Sequence, residues 1–248
     1  MEHPVRLPEE KKSRHHKVKL PPAPRRIIGL PNPDKKDHES YLDYPEDFNI
    51  ARFPLPFRCV ILGKVNSGKS LIVKHILMAR QEHQPKFEEL YIVHGCDNSA
   101  EYDDCDATEI MNVIPSYLDF QPDKIKLLII DDFDFTSIKP DELKRLSELV
   151  RFGSTHCNLS IIIAHQSWFR IPKIVKDTAN VFVIFCPHDE DELKTIGRRV
   201  GINKKNIVGV FEKYLPQWRD SLTIDLIPDS PAKYRKNLFE VLDIDLTG

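Results

Sequence analysis

The stretch FRCVILGKVNSGKSLIVKHIL, residues 57–77, decides the fold. Residues 57–62 are an apolar run of strand type, residues 63–68 are a loop framed by two glycines, and Ile72, Val73, Ile76 and Leu77 recur at helical spacing over residues 69–81. Gly63, Gly68, Lys69 and Ser70 stand in the spacing G-x-x-x-x-G-K-[ST], a phosphate loop between strand and helix. The chemistry follows from the backbone: N–H groups of the loop and of the first helical turn have no internal partner and present a positive end to a triphosphate. A glycine-rich turn with no ligand is the alternative, and the strand before and helix after argue against it. Nucleotide binding is expected from Gly63, Lys64, Val65, Asn66, Ser67, Gly68, Lys69 and Ser70.

Outward from this stretch, composition sets the bounds. The chain has 248 residues, 41% hydrophobic and 30% charged, enough for one sizeable α/β core and a small appendage. A net charge of −2 gives no global basic field, so any nucleic-acid contact has to be a local patch. There are 19 prolines against 9 glycines, and about half of the prolines precede residue 57, which separates residues 1–49 as a basic, Pro-rich arm. The run KKSRHHKVK at 11–19 and Arg25–Arg26 suit either a contact with DNA or an acidic surface, or a solvated tail. Ile27, Ile28, Leu30, Tyr41, Tyr44 and Phe48 suggest that its later part docks as extended chain. The phosphate-loop domain is expected over 50–228 and a tail segment over 229–248. Cys59, Cys96, Cys105, Cys157 and Cys186 are odd in number and form no C-x-x-C pair, so reduced thiols are expected; Cys96 and Cys105 with His94 lack a second ligand pair at metal spacing. No signal-peptide core appears, and no run reaches the roughly 18 apolar residues of a membrane span, so an intracellular, unsecreted protein without membrane contact is expected.

Along the chain the pattern alternates strand and helix. Residues 88–94 read as a strand, the acidic stretch 95–106 as a surface loop, and 107–120 as a short helix. KIKLLIIDD at 124–132 is a near-continuous apolar run ending in Asp131 and Asp132, the signature of a central parallel strand, whose C-terminal tip is where α/β sheets place ligands. A helix over 139–151 has Pro140 in its first turn, with Asp141 and Glu142 near the positive end of its dipole. A strand follows that ends in His165 and Gln166, then strands at 180–185 and 221–227 and helices at 189–200 and 204–215.

These signals assemble a site in which positioning and charge stabilisation do the work. Lys69 would reach the β- and γ-phosphates of ATP, Ser70 would bind Mg²⁺, and Asp131 would hold the same ion through water. Asp132 would orient or deprotonate the attacking water, and Gln166 would sense the γ-phosphate. An arginine for the developing charge has no clear place in cis; Arg151, Arg170, Arg198 and Arg199 are the candidates, acting from a neighbouring subunit.

The order GKVNSGKS at 63–70, LIIDD at 128–132, then HCNLS at 156–160 through AHQ at 164–166, with Pro172 following, resembles the DNA-packaging ATPases of poxviruses, other large DNA viruses and virophages, within the FtsK–HerA superfamily. The likeness runs from about residue 57 to 185 and takes in YRKN at 234–237 near the end. It implies a three-layer α/β P-loop NTPase of RecA/FtsK–HerA type with a mostly parallel central sheet. It further implies a homo-oligomeric ring, pentamer or hexamer, that hydrolyses ATP with Mg²⁺ to drive double-stranded DNA into a capsid, beside a capsid or portal-vertex protein. The host cytoplasm or a virus factory is the implied location, with the virion a further one. Many poxvirus-like members carry Gly-Arg-His before the glutamine strand; Ser154, Thr155 and His156 stand here, so no arginine role carries over. Two other readings compete: a nucleotide-dependent capsid-assembly switch, and a small-molecule kinase, which would need an arginine-rich lid where only Arg198–Arg199 is available.

Overall fold

A computed structural model describes residues 53–81, 85–95, 102–186, 189–228 and 230–244, all within the unit Ser40–Gly248. The basic arm and residues 96–101, Cys96 among them, lie outside the described residues. In chain order the elements are β1 Arg58–Leu62, α1 Lys69–Gln81, β2 Glu89–His94, β3 Glu109–Met111, β4 Lys126–Asp131, α2 Pro140–Glu148, α3 Ser154–His156, β5 Leu159–His165, α4 Lys173–Thr178, β6 Val181–Phe185, α5 Glu190–Arg199, α6 Lys204–Tyr214, β7 Ser221–Asp225, β8 Tyr234–Lys236 and β9 Glu240–Val241.

One nine-stranded sheet runs β3-β2-β4-β5-β1-β6-β7-β8-β9. Its first six strands are parallel, and β7, β8 and β9 continue it antiparallel. Every residue of β4, β5 and β6 is buried, as strands covered on both faces require. Alternation along the strands divides the core in two. Val60, Leu128, Ile130, Ile161 and Ile163 pack with Leu146 of α2, Leu193 and Ile196 of α5 and Phe211 of α6. Their sequence neighbours Cys59, Ile61, Leu127, Ile129 and Ile162 face the opposite layer with Ile72, Val73 and Ile76 of α1. The architecture is thus helix, sheet, helix in three layers, the α/β P-loop arrangement expected.

Two stretches depart from expectation. No helix forms over 107–120: Glu109–Met111 adds β3 parallel to β2, and Tyr117–Asp119 is a single 3₁₀ turn capped by Ser116. Pro115 cannot donate to a helical ladder, while the free edge of β2 takes Thr108 N–H on the Leu90 carbonyl at 2.7 Å and returns Leu90 N–H to Thr108 Oγ1 at 3.0 Å. The helix expected over 139–151 stops at Glu148 and widens into a π turn, Leu149–Gly153, which lets Leu149, Val150 and Gly153 all turn inward before α3.

Within 229–248, β8 and β9 pair into the sheet. Arg235 on β8 and Asp225 on β7 form a fully buried ion pair at 2.7 Å, with the guanidinium 5.1 Å from the Phe53 ring centroid and Nε donating to the Ala232 carbonyl. Burial pushes the Asp225 carboxyl up and the Arg235 guanidinium down, and their attraction opposes both shifts. Among the described residues no helix is long and apolar enough to cross a membrane.

Candidate active site

The loop between β1 and α1 is shaped by backbone angles that few residues tolerate. Gly68 sits at φ 112° and Asn66 at φ 63°, and a side chain at Gly63 would place Cβ 2.3 Å from Ser67 Oγ and 2.8 Å from the Phe185 ring. The sharp turn is closed by Ser67 N–H on the Lys64 carbonyl at 3.2 Å, and α1 begins with Ile72 N–H on the Gly68 carbonyl at 3.1 Å. Lys69 is buried, its Nζ folded back to donate to the Lys64 carbonyl at 3.2 Å. That carbonyl is a modest partner for a buried ammonium, and a phosphate would be a stronger one.

β5 lies between the phosphate-loop strand and the carboxylate strand, bonded to both. Gly63 N–H donates to the His165 carbonyl at 3.1 Å, and Asp132 N–H donates to the Ala164 carbonyl at 3.2 Å. Loop and carboxylates therefore hang on successive residues of one strand. Asp131 is buried, and desolvation pushes its carboxyl up, with the Asp132 charge adding to the shift and Lys69 and a hydrogen bond from Tyr102 opposing it. Tyr102 OH donates to Asp131 Oδ2 at 2.7 Å. Asp131 Oδ1 is buried without a hydrogen-bond partner among the described residues. One oxygen held and the other left open, beside the Ser70 hydroxyl on the same cleft wall, is the oxygen donor set that suits Mg²⁺, a hard cation that keeps several of its waters.

Tyr102 was hidden from sequence reasoning. It lies in the acidic stretch that reads as a surface loop, yet its ring is fully buried against the α1 side of the sheet. An aromatic residue inside a run of carboxylates was the one available signal.

Asp132 is exposed and held at φ 47°, a left-handed conformation that, after glycine, asparagine and aspartate adopt most readily. Gln166 Nε2 donates to Asp132 Oδ1 at 3.4 Å, so these two expected site residues meet. The turn after Gln166 is held from α5: buried Glu192 accepts from Ser167 Oγ at 3.0 Å and from Trp168 N–H. Beside it, buried His165 places Nδ1 3.0 Å from both the N–H and the carbonyl oxygen of Ser167; burial holds its pKa below the usual value, with the Ser167 backbone opposing the shift.

Four arginines were candidates for the transition-state charge. Arg199 donates to the Lys176 carbonyl at 3.1 Å and pairs with Asp177 at 3.5 Å, at the end of α4 that feeds the start of β6. Arg198 lies beside it, and Arg151 lies in the π turn that leads to the start of β5; both places are at the sheet edge opposite the phosphate loop. Arg170 follows the C-terminal tip of β5, where its charge is felt by Asp134 and His165. An arginine that sequence reasoning passed over, Arg219, lines a cleft of about 800 Å³ together with the loop residues 65–70, Asp131 and Asp132.

No protein-family model and no curated protein matches the chain. Among solved structures, it is similar to the genome packaging NTPase B204 of Sulfolobus turreted icosahedral virus 2 in complex with AMPPCP, at TM-score 0.54 and 19% identity over 76% of this chain and 97% of that one. The same protein in complex with sulfate gives TM-score 0.52 and 19% identity over 73% and 96%. The cytoplasmic domain of the Thermomonospora curvata type VII secretion ATPase EccC aligns at TM-score 0.50 and 13% identity over 74% of this chain and 25% of that one. With its phosphate loop and carboxylates joined across β5 in a mostly parallel sheet, this chain has the P-loop ATPase fold seen in the viral genome-packaging NTPase B204.

Proposed function

We propose that this chain is an ATP-hydrolysing motor that moves double-stranded DNA into a viral capsid. The observation that carries the reading is the meeting, on one sheet edge, of the phosphate loop, the Asp131–Asp132 tip and Gln166, with β5 bonded to both neighbours. Lys69 leaves the Lys64 carbonyl for the β- and γ-phosphates, and the loop N–H groups take the remaining oxygens. Ser70 and Asp131 would hold Mg²⁺, which when bound would supply positive charge to the phosphates. Asp132 and Gln166, already in contact, flank the attacking water: the carboxylate orients it and takes its proton, and the amide reports the γ-phosphate. Arg170, the candidate on the phosphate-loop edge, is assigned to the developing charge of a neighbouring subunit's nucleotide in a ring. The fold shared with a genome-packaging NTPase supports DNA and a capsid or portal-vertex protein as partners.

The test measures ATP binding and hydrolysis with and without long linear double-stranded DNA. Lys69→Ala is expected to lose binding and turnover, and Asp132→Asn to bind ATP while turnover falls by roughly 10²–10⁴, the range of a lost general base. Asparagine tolerates the left-handed backbone of this position, so the change is chemical and leaves the turn intact. Turnover of Asp132→Asn at the wild-type rate would refute the water-positioning role. Hydrolysis indifferent to DNA but raised by a capsid protein would replace the motor with an assembly switch.

A further inference from the structure

The cleft of about 800 Å³ extends beyond the phosphate loop to a wall that contains Phe239, Asn237 and Arg219 from the antiparallel part of the sheet and His75 from α1. A triphosphate alone needs no such wall. β7 runs antiparallel to β6 with Ser221 opposite Phe185, and β8 returns with Lys236 opposite Leu222, so the β8–β9 turn comes back to the phosphate-loop edge.

That turn is built tightly. Asn237 and Leu238 are consecutive left-handed residues, at φ 50° and 69°, a conformation that persists only where the surroundings enforce it. Asn237 supplies part of the enforcement: its Oδ1 accepts Ser221 N–H at 2.8 Å, its Nδ2 donates to Asp220 Oδ1 at 3.2 Å, and its own N–H donates to the Ser221 carbonyl at 3.0 Å. Lys236 adds an ion pair to Asp220 at 3.0 Å. Leu238 is fully buried in the α1 layer, while Phe239 is 48% exposed in the cleft. Its ring meets His75 edge-on, centroids 5.3 Å apart and planes at 73°, a contact that fixes an aromatic ring while a face stays open. Arg219 is exposed, and no hydrogen bond or ion pair joins it to another described residue.

We propose that the β8–β9 turn is the nucleobase site: Phe239, steadied by His75, stacks on the base of a nucleoside triphosphate, and Arg219 supplies a cation to its phosphate chain. The strained turn exists to hold an aromatic face at a fixed place beside α1. This rests on the phosphate-loop reading above, and the test separates the two.

Binding of ATP and of inorganic tripolyphosphate, both with Mg²⁺, is measured by calorimetry on the full chain. Phe239→Ala is expected to weaken ATP about tenfold, equal to about 1.4 kcal/mol, and to leave tripolyphosphate unchanged. Phe239→Trp restores ATP affinity and Phe239→Leu, apolar without a π face, does not. Arg219→Ala weakens both ligands. The proposal is overturned if Phe239→Ala binds ATP as the wild type does, if it loses ATP and tripolyphosphate equally, if leucine rescues as well as tryptophan, or if Arg219→Ala changes neither ligand. Wild-type protein that binds neither ligand overturns the phosphate-loop reading and the base site with it, whereas tight binding of both with no effect of Phe239→Ala overturns the base site alone.

Discussion

Asp131 divides its oxygens between two tasks, and Tyr102 enforces the division. With Oδ2 occupied by the phenol at 2.7 Å, the carboxylate cannot rotate without breaking a buried hydrogen bond, so Oδ1 stays aimed where no protein partner meets it. Tyr102→Phe keeps the ring and deletes that restraint. It is expected to weaken Mg²⁺ affinity by about 10–100-fold, the usual loss when a group supporting a metal ligand is removed. Mn²⁺ binding followed by electron paramagnetic resonance, with no nucleotide turnover involved, reads this directly. His165 carries a pH signature. Its folded pKa lies below the ordinary 6.5, so below pH 6.5 the unfolded chain takes up a proton that the folded chain refuses. The stabilisation is therefore complete above the unfolded value and is lost as pH falls through the folded one. In urea denaturation between pH 7 and pH 5, wild-type protein should lose more stability than His165→Asn.

Elements differ in how openly they are written. β1, β4, β5 and β6 show in the sequence as apolar runs because each is buried on both faces, and the phosphate loop shows because its conformation demands Gly63 and Gly68. β3 has three residues, two of them exposed, and forms only because β2 offers an edge; no local pattern encodes that. The β8–β9 turn is equally silent, since Asn237 finds its partners on Ser221 and Asp220, sixteen and seventeen residues away. Tyr102 reaches Asp131 across 29 residues of chain. What stays unread is what depends on contacts distant in sequence. The Arg235–Asp225 pair shows the same point energetically. Arg235→Met strands a buried carboxylate and is expected to cost about 3–5 kcal/mol, while adding Asp225→Leu recovers most of it, both seen by urea denaturation.

At the scale of the molecule, among the described residues the outermost strands β3 and β9 are three and two residues long, too short to template strand addition from another copy. The proposed ring is then expected to close through helices and loops, and the loop bearing Arg170 follows the tip of β5. If Arg170 acts across the seam, mixing inactive Arg170→Ala subunits with inactive Asp132→Asn subunits should restore part of the ATPase activity, because an Asp132→Asn subunit lends its arginine to the intact site of an Arg170→Ala neighbour. No recovery on mixing would place the arginine in cis or outside the reaction.

The double attachment to β5 has a mechanical corollary. Ala164 and His165 are joined by a single peptide, so the stagger between Gly63 and Asp132 along the strand direction is one rise per residue, roughly 3.3 Å, while two strand spacings of about 4.8 Å each separate them across the sheet. The strand works as a ruler: in the proposed motor, tension applied beyond Gln166 would reach the attachments of Gly63 and Asp132 together, through two adjoining carbonyls.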